Sequence, residues 1–232
     1  MVVADLDEDG NERVAGEIRE LGAGASAITV DVTDEVQVAA MVEHAQRTFG
    51  GLHVLVNNAG GYELPVFMDA EVEHWSRALD LNLRAPMLAT HHAVRAMAAR
   101  GGAIVNIASS AGLGFAAHPG PEYAVAKAGL LRLTACLAPL AERGVRVNCV
   151  CPHTVRTEAV QETIAELTRR GEELPLPLRG ELVDPDDVAD ATVALIRDET
   201  LAGRVVVLRG GGSPQMLPAL DWDELLRELG GA

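Results

Sequence analysis

The sequence predicts an α/β fold, a doubly wound parallel sheet with helices on both faces, on three observations. Short apolar runs alternate with longer amphipathic stretches along 232 residues. Runs such as His53-Val54-Leu55-Val56 are continuous enough to be buried on both faces. Polar residues able to do chemistry fall directly after the runs, at the edge where such sheets bind ligands. Alternation of this kind implies right-handed crossovers and one covered sheet. At this length the default is a single domain, here 1–232.

Val2-Val3-Ala4 is the first strand and ends at Asp5. A helix follows from about Glu12 to Leu21, then a strand Ala27-Ile28-Thr29-Val30 ending at Asp31. Asp34 can cap the next helix, which runs to about Phe49. His53 to Val56 is the third strand. One long helix covers Val72 to Ala99, with Pro86 as its kink. Ala103 to Ile107 is a strand, Glu122 to Leu140 a helix and Arg146 to Val150 a strand. Segment 153–183, rich in Leu, Pro and charge, reads as a substrate loop or lid. Asp184 then caps a helix with Pro185 in its first turn. Arg204 to Leu208 is the last strand, and 213–232 forms a C-terminal tail with a short helix from Asp221 to Leu229.

The formal net charge is −15, which disfavours nucleic acid and anionic membranes as partners. No apolar run reaches the ~20 residues of a membrane span, and the acidic start resembles no signal peptide. Three cysteines give no disulfide framework. Cys149 and Cys151 alternate on a strand and read as buried small apolar residues, with metal binding the minor alternative. A cytoplasmic location fits this usage best. The histidines show no metal-ligand spacing, so no metal is expected.

Tyr123 and Lys127 stand four apart on a helix and share a face. A phenol titrates near pH ~10, and a neighbouring ammonium lowers that value. Tyr123 could then exchange a proton with a substrate oxygen, with Ser109 donating a hydrogen bond to the same atom. The pair is weak evidence alone. Its weight comes from Ser109 upstream and from the Asn57-Asn58-Ala59-Gly60 turn earlier still.

With these motifs in this order, the chain resembles the short-chain dehydrogenase/reductase family from Val2 to Gly212. The resemblance rests on Ala4-Asp5, Asp31-Val32, Asn57 to Gly60, Asn82, Asn106 to Ser109, Tyr123 to Lys127 and Asn148 to Pro152. It implies a Rossmann-like sheet and hydride transfer between NAD(P) and a secondary alcohol or ketone. It implies that Tyr123 is the acid/base and that Lys127 lowers its pKa and holds the nicotinamide ribose. Ser109 would position the substrate oxygen, and Asn82 a relay water. Ser110 is an alternative on spacing from Tyr123, but alignment on the preceding strand selects Ser109. Asp31 and Val32 would meet the adenine, Asn58, Ala59 and Gly60 would line the cofactor channel, and Pro152 and Thr157 would lie by the nicotinamide. His153 stands where the family has glycine, either tuning the pocket or merely tolerated in the turn. His118 and Glu122 are substrate contacts or solvated loop residues. The family also implies a homodimer or homotetramer built on the long helices.

Asp5 can accept hydrogen bonds from ribose hydroxyls and would repel a 2′-phosphate, which favours NAD over NADP. It also opens the acidic run Asp5 to Asp9, which solvation alone explains. The family's opening strand, glycine-rich turn and helix do not precede Val2. The expectation is therefore an N-terminally truncated chain lacking the first βα unit, the initiating Met standing for a strand valine. Two strand edges would lose their partner, at a cost on the order of 1–3 kcal/mol per buried group. Either the flanking strands close up, another chain pairs with them, or the first segment is mobile. An inactive chain of the same fold, a pseudoenzyme or interaction subunit, is the alternative reading.

Overall fold

The computed structural model describes residues 1–62, 67–114, 118–175 and 178–218. Strands β1 (Val2–Asp5), β2 (Ser26–Thr29), β3 (Val54–Asn57), β4 (Gly102–Ile107), β5 (Val145–Pro152) and β6 (Val205–Leu208) alternate with helices, as the sequence predicts. A short β7 (Gln215–Met216) was not anticipated; it pairs antiparallel with β6 in a stretch expected only as tail. The expected helix at Asp221 to Leu229 lies outside the described residues.

Pairing is parallel from β1 to β2 and again along β3-β4-β5-β6, but the two sets do not join. The described residues thus form a two-stranded and a five-stranded sheet. The flanking strands have not closed up. β3 was expected to be buried on both faces, yet Val54 is 38% and Val56 40% exposed. The cause is the bare edge of β3, because β4, β5 and β6, which have neighbours on both sides, bury their valines.

Helices α1 (Glu8–Glu20) and α2 (Glu35–Phe49) begin where aspartates can cap them. Asp7 accepts from the Gly10 N–H, so α1 starts four residues before the predicted Glu12. Asp34 accepts from the N–H groups of Val36 and Gln37, in the role predicted for it. Buried Asn11 donates to the carbonyls of Asp5 (2.9 Å) and Ile28 (3.1 Å), tying α1 to the ends of β1 and β2.

The single long helix predicted for Val72 to Ala99 is two: α3 (Val72–Leu79) and α4 (Ala85–Met97), joined by a π-helical turn at Asp80–Arg84. Pro86 lies in the first turn of α4 rather than at a kink, and the extra residue of the π turn makes the irregularity. α5 (Pro121–Cys136) ends sooner than predicted and continues as a 3₁₀ stretch to Arg143. Segment 153–183 is not a plain loop, since α6 (Glu158–Arg169) fills its first half, capped by Thr157. A β-bridge between Val155 and Val183 and an ion pair between Arg156 and Asp184 fasten both ends of the segment. Helix α7 (Pro185–Arg197) starts at the predicted Asp184 cap.

Among the described residues, three apolar clusters make the core. Val105, Val150 and Val206 pack with Leu195 of α7, and Cys149, Cys151 and Val207 with Leu130 of α5. Ile104 and Val147 pack with Met97 of α4. Placing Cys149 and Cys151 in one cluster agrees with their predicted common face, and burial holds both thiols protonated, with Cys151 pushed up to about 12. No helix among the described residues is long and apolar enough to cross a membrane.

Candidate active site

The carboxyl ends of β3 and β4 and the first turns of α5 meet at one place. Tyr123 and Lys127 project from α5 toward the end of β4. The buried Lys127 ammonium donates to the Ile107 carbonyl at 3.0 Å and lies 5.6 Å from the Tyr123 ring centroid. The Ser109 side chain hydrogen-bonds the Tyr123 phenol, whereas Ser110 begins a 3₁₀ turn. Of the two serines weighed from sequence, Ser109 is the one bonded to the tyrosine.

Asn82 is fully buried, carried by the π turn. It accepts from the Gly61 N–H (3.0 Å) and donates to the Gly61 carbonyl (2.9 Å) and the Ala78 carbonyl (3.0 Å). This clamp holds the strand-end turn against the π turn and the end of α3. Gly60 is needed there for a close approach, because a Cβ would lie 2.8 Å from Asn82 Oδ1 and 3.0 Å from Lys127 Nζ. Gly112 meets α5 in the same way, with a Cβ falling 2.6 Å from the Ala128 nitrogen. Glycine at these two points lets Tyr123 and Lys127 approach β4.

The electrostatics differ from the expectation. Lys127 was expected to lower the Tyr123 pKa. Instead, burial raises it, and the Ser109 hydrogen bond offsets this only in part. Burial also pushes Lys127 from 10.5 down to about 8, with the nearby Cys149 and Cys151 thiols opposing this. Desolvation dominates for both groups, since each ionises in a low-dielectric wall.

A cleft of about 260 Å³ opens beside the phenol, lined by Asp31, Val32, Tyr62, Asn82, Glu122 and Tyr123 among others. Asp31 is not a helix cap. Its Oδ1 accepts from the Thr33 N–H (2.8 Å) and hydroxyl (2.7 Å) in a local turn. Asp5, Asn58 and Ala59 line a second, larger cavity between β1 and β3, and Val32 borders both. Pro152 ends β5 and Thr157 caps α6, accepting from the Val160 N–H at 3.3 Å; neither lines these two cavities. His153 turns its Nδ1 to the Thr154 N–H at 2.7 Å, which accounts for it locally.

Two features were not legible from sequence. Tyr62 packs edge-on against Tyr123 (centroids 5.8 Å apart) and against His118 (5.7 Å), building an aromatic wall over the site. Behind the site runs a buried amide chain. Asn57 Nδ2 donates to Asn106 Oδ1 at 2.8 Å, and Asn106 Nδ2 donates to Thr134 Oγ1 at 2.9 Å. Replacing Asn106 with Leu should cost about 2 kcal/mol in urea unfolding, since it strands buried polar partners on β3 and α5.

This arrangement puts a hydroxyl and a buried ammonium beside a phenol that lines a cleft at the carboxyl edge of a parallel sheet. A family model described as enoyl-(acyl carrier protein) reductase matches residues 1–213. The chain belongs to the short-chain dehydrogenase/reductase family. It is 36% identical over 203 residues to cyclohexanol dehydrogenase of Acinetobacter sp. (strain SE19), covering 86% of this chain and 78% of that protein. It is also 36% identical over 216 residues to cis-4-hydroxycyclohexanecarboxylate dehydrogenase of Sinomonas cyclohexanicum, covering 91% and 85%. The structure resembles the crystal structure of a putative short-chain dehydrogenase/reductase from Burkholderia xenovorans. The TM-score is 0.79 at 30% identity, over 90% of this chain and 83% of that one. The family and these relatives make the chain an oxidoreductase of the NAD(P)-dependent alcohol class. Among the described residues, no group of His, Cys, Asp and Glu could hold a metal ion.

Proposed function

We propose that the chain oxidises a secondary alcohol, or reduces the matching ketone, with NAD. The observation that carries this reading is the juxtaposition of Ser109 and Lys127 with Tyr123, whose ring lines the cleft. Tyr123 holds the proton that leaves or returns to the substrate oxygen. Ser109 orients that oxygen by hydrogen bonding. Lys127 places a positive charge beneath the site, and Asn82 keeps the Gly61 backbone fixed. Tyr62 and His118 shield the phenol from water.

The chain's residues fit a dinucleotide at its two ends. Asp31 and Val32 would take the adenine side, and Asn58, Ala59, Gly60, Lys127, Pro152 and Thr157 the nicotinamide side. When bound, the nicotinamide ring supplies or accepts the hydride. Asp5, at the end of β1, would face a ribose and select NAD. Asp5→Ser should shift the ratio of NADP to NAD dissociation constants toward NADP by about tenfold, equivalent to 1.4 kcal/mol. Titration calorimetry with both nucleotides reads this directly.

The substrate class follows from the relatives, and a cyclic secondary alcohol such as cyclohexanol is the first to try. Formation of NADH from NAD and cyclohexanol tests the reading; no NADH with a panel of cyclic and linear secondary alcohols would count against it. A cytoplasmic enzyme assembled as a homodimer or homotetramer completes the proposal. Exposed Met87 on α4 and Val125 on α5 favour those helices as the contact.

One observation favours the second reading, a chain of this fold that holds cofactor weakly. The helix start after β1 carries Asp7, Glu8 and Asp9, which repels a diphosphate. A thermal shift with NAD separates the two readings, because a bound nucleotide stabilises the folded state by mass action.

A further inference from the structure

Glu122 is the one buried carboxyl among the described residues, at 6% exposure, and its Oε2 has no hydrogen-bond partner. The other buried polar side chains there are paired. Asn11, Asn82, Asn106, Lys127 and Asn148 each donate to a neighbour, and Thr90, Thr134 and Thr192 are bonded through their hydroxyls. Burying a carboxyl without a partner is unfavourable, so its position needs a cause. The helix dipole favours acids in a first turn, where Glu122 stands on α5. Yet Glu8, Glu35, Glu73, Glu158 and Asp186 hold first-turn places on α1, α2, α3, α6 and α7 and are all exposed. The dipole therefore does not require burial. From sequence, Glu122 and His118 are either substrate contacts or solvated loop residues, and burial removes the second option for Glu122. His118 is occupied, with Nδ1 3.1 Å from the Gly120 N–H.

Glu122 lines the cleft together with Tyr62 and Tyr123. Its charge reaches the Tyr62 phenol, whose pKa is raised first by burial and then by Glu122. Tyr62 packs against Tyr123 in turn, with ring centroids 5.8 Å apart. These three side chains come from the turn after β3 and from α5. Asp31 and Val32, given above to the adenine, follow β2 instead. Other charged groups in the lining are engaged: Asp31 Oδ1 accepts from Thr33, and Arg77 bonds His74 at 2.9 Å. Glu122 Oε2 is thus an acceptor open to a ligand. Adjacent residues have Cα atoms about 3.8 Å apart, so one small molecule can touch both Glu122 and Tyr123. A few placed polar groups in a small-molecule site fix orientation and specificity.

We infer that Glu122 is a substrate contact, accepting a hydrogen bond from a second donor on the alcohol. That donor is a hydroxyl or a protonated amine, so the substrate is a cyclic alcohol bearing such a group and not a carboxylate. The inference deepens the proposed function and rests on it, because the reacting carbinol is taken to sit at Tyr123. It also explains why a carboxyl that costs stability stands in the cleft wall, since its partner arrives with the substrate.

The probes are cyclohexanol, the positional isomers of cyclohexanediol and aminocyclohexanol, and hydroxycyclohexanecarboxylate. Their dissociation constants are read by ligand-observed NMR titration on the full chain, with and without NADH, with which an alcohol cannot react. At least one diol or amino alcohol should bind the parent ~10-fold or more tighter than cyclohexanol, because a site built around an acceptor rejects the analogue lacking its donor. The carboxylate should bind no tighter than cyclohexanol. Glu122→Met should erase the preference while melting no lower than the parent. Glu122→Gln keeps an acceptor oxygen without charge, so a diol should hold most of its advantage and an amino alcohol should lose it, which tells the two donors apart. The inference is overturned if no isomer exceeds cyclohexanol, or if the preference survives in Glu122→Met. It is also overturned if the carboxylate binds tightest, or if Glu122→Met melts well below the parent, which would make the carboxyl a structural group. NADH formation from NAD and the same alcohols is followed separately. Absent turnover with the binding preference intact would count against the proposed reaction and not against Glu122 as the contact.

Discussion

Replacing Tyr123 with Phe should lower kcat for alcohol oxidation by about 10²- to 10⁴-fold, the range a positioned acid/base contributes. The Phe ring keeps the packing against Tyr62 and His118 and removes only the hydroxyl bonded to Ser109. NAD affinity, measured by calorimetry, should therefore stay within a few-fold of the parent. The pH profile carries a second signature. Burial raises the Tyr123 pKa above its ordinary value, so the phenolate needed to accept the alcohol proton is scarce at neutral pH. Oxidation by the parent protein should accelerate as pH rises toward that raised value. Ketone reduction uses the protonated phenol and should not gain with pH. In the Phe variant the residual oxidation should lose this rise. A variant with unaltered kcat and slope would remove Tyr123 from the chemistry.

Replacing Lys127 with Met should stabilise the fold at neutral pH while removing activity. The folded chain binds the Lys127 proton only below about 8, against 10.5 for the free side chain. Between those values the unfolded chain holds more protons, so stability rises with pH across that window. Below it, keeping the buried ammonium charged costs about 3 kcal/mol, at 1.36 kcal/mol per pKa unit. Methionine of similar length escapes this cost but leaves the Ile107 carbonyl without its 3.0 Å donor, a loss of about 1 kcal/mol. The net expectation is ~2 kcal/mol of added stability at pH 7, shrinking as pH rises through 8 and gone near 10.5. Urea unfolding of both proteins at three pH values checks sign and window. A destabilised variant at pH 7 would mean that the ammonium is better solvated than its burial implies. A residue that costs stability and is kept beside a perturbed tyrosine is what a functional site leads one to expect.

Where local chemistry sets an element, the sequence alone was enough. Asp34 and Asp184 cap the helices predicted for them, and Tyr123 and Lys127 share a helix face because their spacing is one turn. The succession of six strands along the chain followed from alternation of apolar runs, whereas their division into two sheets did not. Effects that cross the chain were not readable. The π turn at Asp80–Arg84 leaves the apolar period of its flanking helices intact, so nothing marks the added residue that aims Asn82 inward. α6 was missed because Leu, Pro and charge in 153–183 obscured the Thr157 cap. The Asn57–Asn106–Thr134 chain links β3, β4 and α5 across 49 and 28 residues, a proximity created only by folding. Tyr62, one of two tyrosines, carries no periodic signal. The sign of the tyrosine shift also depended on depth, since sequence spacing shows the ammonium nearby but not the burial that outweighs it.

Transfer of deuterium from a carbinol-labelled secondary alcohol to NAD, followed by mass spectrometry, tests the central claim most directly. The parent chain should place the label on the cofactor, and Tyr123→Phe should slow that transfer at least ~100-fold with NAD binding retained. Bound NAD that never acquires the label from any secondary alcohol would contradict the account.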